Sequence, residues 1–158
     1  EISGMPKYSC QGDRKFSWFY RRLAMPRNMG FPVADCPDLV PPLAAMAALR
    51  DGYTTYMSSA ARLRLKESDR LASVTQALNA LGAQVEEGPD FLKIWGRDTL
   101  AGGVTVDCCN DHRIAMMAAI AATRCREPIT LLGAECVQKS YPDFWEEYRR
   151  LGGVFDVL

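Results

Sequence analysis

Leu71, Val74, Leu78 and Leu81 fall three or four residues apart, and Gly82 ends the run. This spacing predicts a helix over roughly 67–81. "AQVEEG" and "FLKIWG" follow as short strands around a turn at Gly88-Pro89, and "GVTVD" reads as another strand. From Asn110, "NDHRIAMMAAIAATR" reads as a helix that is apolar nearly all round, hence buried, with alanines that allow close packing. "PITLLG" is then a strand, "SYPDFWEEYRRLGG" a helix stopped by glycines, and "VFDVL" a last strand. Upstream, "GDRKFSWFYRRLA" and "DLVPPLAAMAALR" read as helices, with Pro41 and Pro42 in the first turn of the second and "YTTYM" a strand after it. The stretch "AMPRNMGFPVADCP" is the least regular and reads as a loop or a lost element. Trp18, Trp95, Trp145 and the methionines are assigned to the core.

Three segments share an Asp near a helix start and a Leu-rich end: Asp13 to Leu23, Asp69 to Gly82 and Asp143 to Gly152. Helices alternating with short strands, sometimes in pairs, predict an α/β domain built from similar units. The chain has 158 residues and no low-complexity linker, so it reads as one domain.

Composition adds exclusions. Nineteen basic residues balance nineteen acidic ones, so no global field favours nucleic acid or an anionic membrane. No apolar run of membrane-spanning length and no signal pattern stand out. The six cysteines, Cys10, Cys36, Cys108, Cys109, Cys125 and Cys136, include no C-x-x-C pair, and read as reduced thiols in a cytoplasmic protein.

Charge placement is the feature that asks for chemistry. Lys66, Glu67, Asp69 and Arg70 crowd one helix start, where Glu67 lies a turn below Leu71 and Arg70 a turn below Val74. They continue the stripe that faces the core, while Ser73, Gln76 and Asn79 take the outer face. Cations are poorly placed at a helix N-terminus unless an anion lies between them and the free N–H groups. The arrangement recurs at Arg113, with Asn110 as a cap, and at Lys139, with Ser140 as a cap and Asp143 three residues on. Three such starts predict a site for phosphate or carboxylate groups. An alternative reading pairs these cations with Asp69, Asp111 and Asp143 as ordinary surface ion pairs. The run Asp107, Cys108, Cys109, Asp111, His112 holds metal-ligand types, but adjacent residues converge poorly and His112 is the single histidine. It reads as a strand-to-helix turn with buried thiols; a cysteine–histidine nucleophile there lacks an orienting partner. No metal or organic cofactor is called for.

"RLRLKESDRL", "NDHRIAMMAAIAA", "GAECVQKSYPDFW" and "DCPDLVPPLA", in collinear order, closely resemble the C-terminal part of the 5-enolpyruvylshikimate-3-phosphate synthase family, with "SCQGDRKF" a weaker match. The resemblance covers nearly all of residues 35–153. It implies repeated βαβαββ units of the enolpyruvyl transferase fold, about two units and part of another, with residues 1–158 forming one incomplete domain of the family's two. It also implies transfer of the enolpyruvyl group of phosphoenolpyruvate to the 5-hydroxyl of shikimate 3-phosphate, with phosphate release, for chorismate and aromatic amino acid synthesis in the cytoplasm. Glu67 would be the acid and base, and Asp38, with Lys66 as competitor or helper, would deprotonate the hydroxyl. Arg70 and Arg113 would hold the phosphoenolpyruvate carboxylate, Lys139 would face its phosphate, Asp38 would contact the shikimate hydroxyls, and His112 would support the site beside Arg113. The family's N-terminal domain is the missing partner, so this chain alone is expected to be inactive. Arg62 and its neighbours stand where some relatives place an Asn, and the stretch between "RRLA" and "DCPDL" is shorter than the family's, as though a strand pair were missing. Two rival readings are a non-catalytic anion-binding or structural fragment, and the related UDP-N-acetylglucosamine enolpyruvyl transferase, against which "KESDR" and "DHRIAM" argue.

Overall fold

In the computed structural model, which describes residues 10–158, apolar alternation lays down a four-stranded sheet. Its strands are β1 (Met29–Pro32), β2 (Thr54–Ser58), β3 (Gln84–Glu87) and β4 (Leu92–Trp95). Met29, Phe31, Met57, Val85, Leu92 and Ile94 alternate onto the buried face. The order is β1-β2-β4-β3, with β1 and β2 parallel and the other pairings antiparallel. A parallel pair needs a crossover, and α2 (Val40–Ala48) supplies it. Pro41 stands in its first turn, where a missing N–H costs nothing. Between β2 and β3 runs α3 (Arg70–Ala80), so residues 29–95 form one complete βαβαββ unit.

A second unit begins with β5 (Thr105–Asp107), α4 (His112–Ala122) and β6 (Thr130–Leu132), again a parallel pair joined by a helix, then α5 (Phe144–Arg150). Alanine-rich α2 and α4 pack together, and one core of α2, α3, α4 and the large sheet joins the two units. The second unit stops at βαβα among the described residues. "VFDVL" forms no strand: Val154, Val157 and Leu158 are exposed, and only Phe155 packs, against Trp145. A lone strand has no ladder to satisfy its backbone. The observed arrangement is therefore one full unit, one partial unit and a leading helix, α1 (Phe16–Leu23).

The irregular stretch before Asp38 contains a strand after all. Met29, Phe31 and Val33 alternate inward, but Gly30 and the prolines around them obscure the signal; Pro32 is tolerated because β1 is an edge. Trp18 departs from its core assignment. It is 47% exposed, its ring meeting Phe19 and Phe31 edge-on beneath the Arg22 guanidinium. Trp95 and Trp145 are half-buried. Among the described residues no helix is long and apolar enough to cross a membrane.

The short link from α1 to β1 is fastened by one side chain. Arg50, buried just after α2, donates to the carbonyls of Leu23 (2.6 Å), Met25 (2.8 Å) and Arg27 (2.7 Å) and to Thr55 Oγ1 (2.7 Å). No neutral residue offers a planar fork of donors that reaches three carbonyls. Arg50→Met is expected to lower stability by more than about 1.5–3 kcal/mol, the range for one hydrogen bond to a charged group. Urea unfolding of the two proteins measures the difference.

Candidate active site

Two N-caps set the geometry. Asp69 caps α3 by accepting from the Ala72 N–H (3.2 Å), and Asp111 caps α4 by accepting from the Arg113 N–H (3.0 Å). The helix thus starts at Arg70 rather than 67, and Lys66 and Glu67 lie in the approach to it. Asp111, not Asn110, is the cap of α4; Asn110 adopts a left-handed φ of 51°.

Arg70 and Asp111 are both fully buried and face each other. Arg70 Nε donates to Asp111 Oδ2 at 2.7 Å, and Nη2 reaches Oδ1 at 3.3 Å. Ser68 Oγ donates to Asp111 Oδ2 at 3.0 Å. The rest of the guanidinium is engaged by Asp38 Oδ1, 2.7 Å from Nη1, and by Glu67, which accepts from Nη2. Asp38 lies in the 3₁₀ turn Pro37–Leu39 leading into α2. It also meets Lys66 Nζ at 3.3 Å and Arg113 Nη2 at 3.3 Å, and its backbone carbonyl accepts from Arg113 Nη1.

Five of the residues singled out from the sequence, Asp38, Lys66, Glu67, Arg70 and Arg113, therefore share one network. Three helix starts do converge, but they are those of α2, α3 and α4. The predicted third start fails: Ser140 closes the end of the 3₁₀ turn before it rather than capping a helix start, and Asp143 precedes α5 without a side-chain cap bond. Lys139 instead ends a 3₁₀ turn (Ala134–Lys139) and holds Asn110 through its carbonyl (2.8 Å) and Oδ1 (2.6 Å), one residue from Asp111. His112 is the first residue of α4; it is buried, and its Nδ1 has no hydrogen-bond partner among the described residues. Ser73, assigned to the outer face, is buried, because α3 is packed by β3 as well as by α2 and α4.

The cations do not stand unmatched, as a bare anion site would have them. Lys66, Arg70 and Arg113 face Asp38, Glu67 and Asp111. The surface-pair alternative fits none of its three aspartates. Asp69 pairs with Arg64 (2.8 Å), which is not among those cations, Asp111 meets Arg70 in a buried pair, and no ion pair is found for Asp143 among the described residues. Burial pushes the Asp38 carboxyl up, but Arg113, Arg70 and Lys66 outweigh it and hold its pKa below the ordinary 3.8. Burial acts on Asp111 in the same direction, and Arg70, the Arg113 N–H and Ser68 likewise bring its pKa below 3.8. Cys108 is sealed in the core, where burial pushes its thiol up to about 12, too high for a nucleophile near neutrality.

Asp111 and Ser68 are the functional candidates that motif reading missed. The available signal was an Asp immediately before a helix whose second residue is basic. Nothing in sequence spacing says that such a cap faces another helix 41 residues away. Nearby, an open cavity of about 500 Å³ is lined by Gly12, Lys15, Asp35 and Arg62, with Lys15 and Asp35 paired at 2.8 Å.

Removing Arg70 would strand a buried carboxylate. Arg70→Met is expected to cost about 3–5 kcal/mol at pH 7. With the guanidinium gone, burial alone raises the Asp111 pKa, so protonation relieves the cost as pH falls towards 4. The wild-type carboxyls have depressed folded pKa values. Their contribution is full above the ordinary 3.8 and is lost as pH falls through the folded values. Urea midpoints for both proteins between pH 7 and pH 4 should therefore converge on acidification.

Comparison with known proteins gives the same family as the motifs. Residues 18–148 match the model for EPSP synthase (3-phosphoshikimate 1-carboxyvinyltransferase). The chain is 54% identical over 124 residues to 3-phosphoshikimate 1-carboxyvinyltransferase of Clostridium kluyveri, covering 78% of this chain and 29% of that protein. The Clostridium botulinum Alaska E43 enzyme is 47% identical over 170 residues, covering 98% and 39%. That alignment is longer than the 158 residues of this chain, so the relative carries residues that this chain lacks. Among solved structures, EPSP synthase from Acinetobacter baumannii superposes with a TM-score of 0.72 at 35% identity, over 77% of this chain and 28% of that one. An enolpyruvyl transferase of Streptomyces tendae, 23% identical with a TM-score of 0.68, shares the fold. This chain thus spans less than two fifths of the length of these relatives, and it belongs to the EPSP synthase family.

Proposed function

We propose that this chain forms one wall of a site that transfers the enolpyruvyl group of phosphoenolpyruvate to the 5-hydroxyl of shikimate 3-phosphate, releasing phosphate, in cytoplasmic chorismate and aromatic amino acid synthesis. The supporting observation is the single network of Asp38, Lys66, Glu67, Arg70 and Arg113. Addition to the enol ether needs a proton at the methylene carbon, and elimination needs it removed. Glu67 suits both steps, being a carboxylate at the exposed side of the network. Asp38, with Lys66 beside it, accepts the hydroxyl proton; three cations lower its basicity, and it becomes a better base as bound substrate anions share their charge.

Arg70 and Arg113 take the phosphoenolpyruvate carboxylate, and Lys139 takes its phosphate, with His112 packed at the start of the same helix as Arg113. Fixed cations stabilise charge gathering on the leaving phosphate without reorganising. Further contacts to shikimate 3-phosphate and the opposite side of the cleft would be supplied by an N-terminal domain of the kind the resemblance implies, so two charged substrates are held in reach only when both walls are present.

Phosphate release with both substrates tests the reading. It would be measured for this chain alone and for a chimera in which residues 35–148 replace the matching segment of the Clostridium kluyveri enzyme. The expected result is none from the chain alone and turnover by the chimera. Glu67→Ala should lower that turnover by about 10²–10⁴-fold. A folded chimera that binds phosphoenolpyruvate without turnover would favour a non-catalytic binding segment. Preference for UDP-N-acetylglucosamine over shikimate 3-phosphate would move the assignment to the sister transferase.

A further inference from the structure

The three carboxylates around Arg70 are not equivalent. Asp111 is fully buried, whereas the Asp38 and Glu67 side chains keep 32% and 45% of their surface. Asp111 alone makes two contacts with the guanidinium, through Nε and Nη2. It also accepts from Ser68 Oγ and from the Arg113 backbone N–H, so it ties Arg70 to the backbone at the start of α4. Asp38, by contrast, reaches only the side chains of Lys66 and Arg113 besides that of Arg70 and, through its carbonyl, Arg113 again. Both arginines at the two helix starts are thus referred to one carboxylate. Asp38 and Glu67 each touch Arg70 through a single oxygen and belong to segments outside α3 and α4.

We propose that Asp111 is the positioning residue of the site: it alone sets where the Arg70 guanidinium lies relative to the start of α4, and Asp38 and Glu67 are dispensable for that placement. A bidentate contact fixes both the plane and the direction of a guanidinium, which a single-oxygen contact does not. Glu67 and Asp38 are thereby left free to exchange protons or partners while the cation stays in place. The inference rests on the enolpyruvyl-transfer reading only for what Arg70 finally holds; the placement itself is measurable without substrate.

The Nε–H groups of arginine report it directly. Arg70 Nε–H is bonded to Asp111, and Arg50 Nε–H, bonded to the Leu23 carbonyl, is a buried reference elsewhere in the fold. Proton–nitrogen NMR of the 158-residue chain, with Arg70→Lys to identify the signal, would follow their exchange with water in two variants. Asp111→Asn is expected to speed Arg70 Nε–H exchange by about tenfold or more, with Arg50 unchanged. The double variant Asp38→Asn with Glu67→Gln is expected to leave both signals protected. Arg70 protection surviving Asp111→Asn would overturn the proposal, as would its loss in the double variant while Arg50 stays protected. If Asp111→Asn fails to fold, both signals vanish and the double variant decides. A phosphoenolpyruvate titration separates the two readings. Where the wild type binds, Asp111→Asn should bind about tenfold or more weakly. Where the chain alone does not bind, the chimera carrying residues 35–148 is titrated instead; a folded chimera that does not bind counts against the functional reading, leaving Asp111 judged by exchange.

Discussion

A buried arginine facing a buried aspartate is the interaction on which the site depends. Taking two charges out of water costs several kcal/mol per ion, and attraction alone offsets it only when every remaining donor and acceptor is satisfied. Here geometry meets that condition closely: Asp111 accepts from two nitrogens of Arg70, from Ser68 and from a helix N–H, and Arg70 gives two further donors to Asp38 and Glu67. Such satisfaction is possible only if α2, α3 and α4 start at one place. The alanine-rich packing of α2 on α4 and the shared core beneath them serve that requirement.

From that centre the network grades outward. Asp111 is sealed, Asp38 is about one-third open, and Glu67 nearly half. Groups that hold position lie inside, and groups assigned to proton transfer lie where a substrate can meet them. The same side chains show how a chain of zero net charge concentrates charge locally. Lys66, Arg70 and Arg113 share Asp38, and Arg70 also faces Glu67 and Asp111, so the field is local rather than a broad positive surface.

Most elements were legible in the hydrophobic pattern, because α3, α4 and the β3–β4 hairpin repeat at clean periods and are bounded by glycine or a capping residue. β1 was not, since Gly30 and Pro32 interrupt its alternation. Its strand character comes from pairing with β2, a partner 26 residues on. "VFDVL" shows the converse: strand-forming residues without a neighbour strand remain irregular. Charge placement brought Lys66, Glu67, Arg70 and Arg113 together and the family resemblance added Asp38, but neither gave Asp111, the carboxylate that joins the two helix starts. Capping is a local signal; the burial of a cap against a distant helix is a tertiary one. Lys139 was likewise placed by a turn of chain, not by the helix start that its neighbours suggested.

The division into units also orders events in time. Residues 29–95 contain every strand of the larger sheet and both helices that cross it, so this unit has its sheet complete before β5 and α4 are reached along the chain. The Arg70–Asp111 link spans the boundary to the next unit and closes only once β5 and α4 have docked. A chain emerging in order would hold Arg70 against Asp38 and Glu67 within the first unit and gain Asp111 only when α4 arrives, so the last contact of the cluster reports completed assembly.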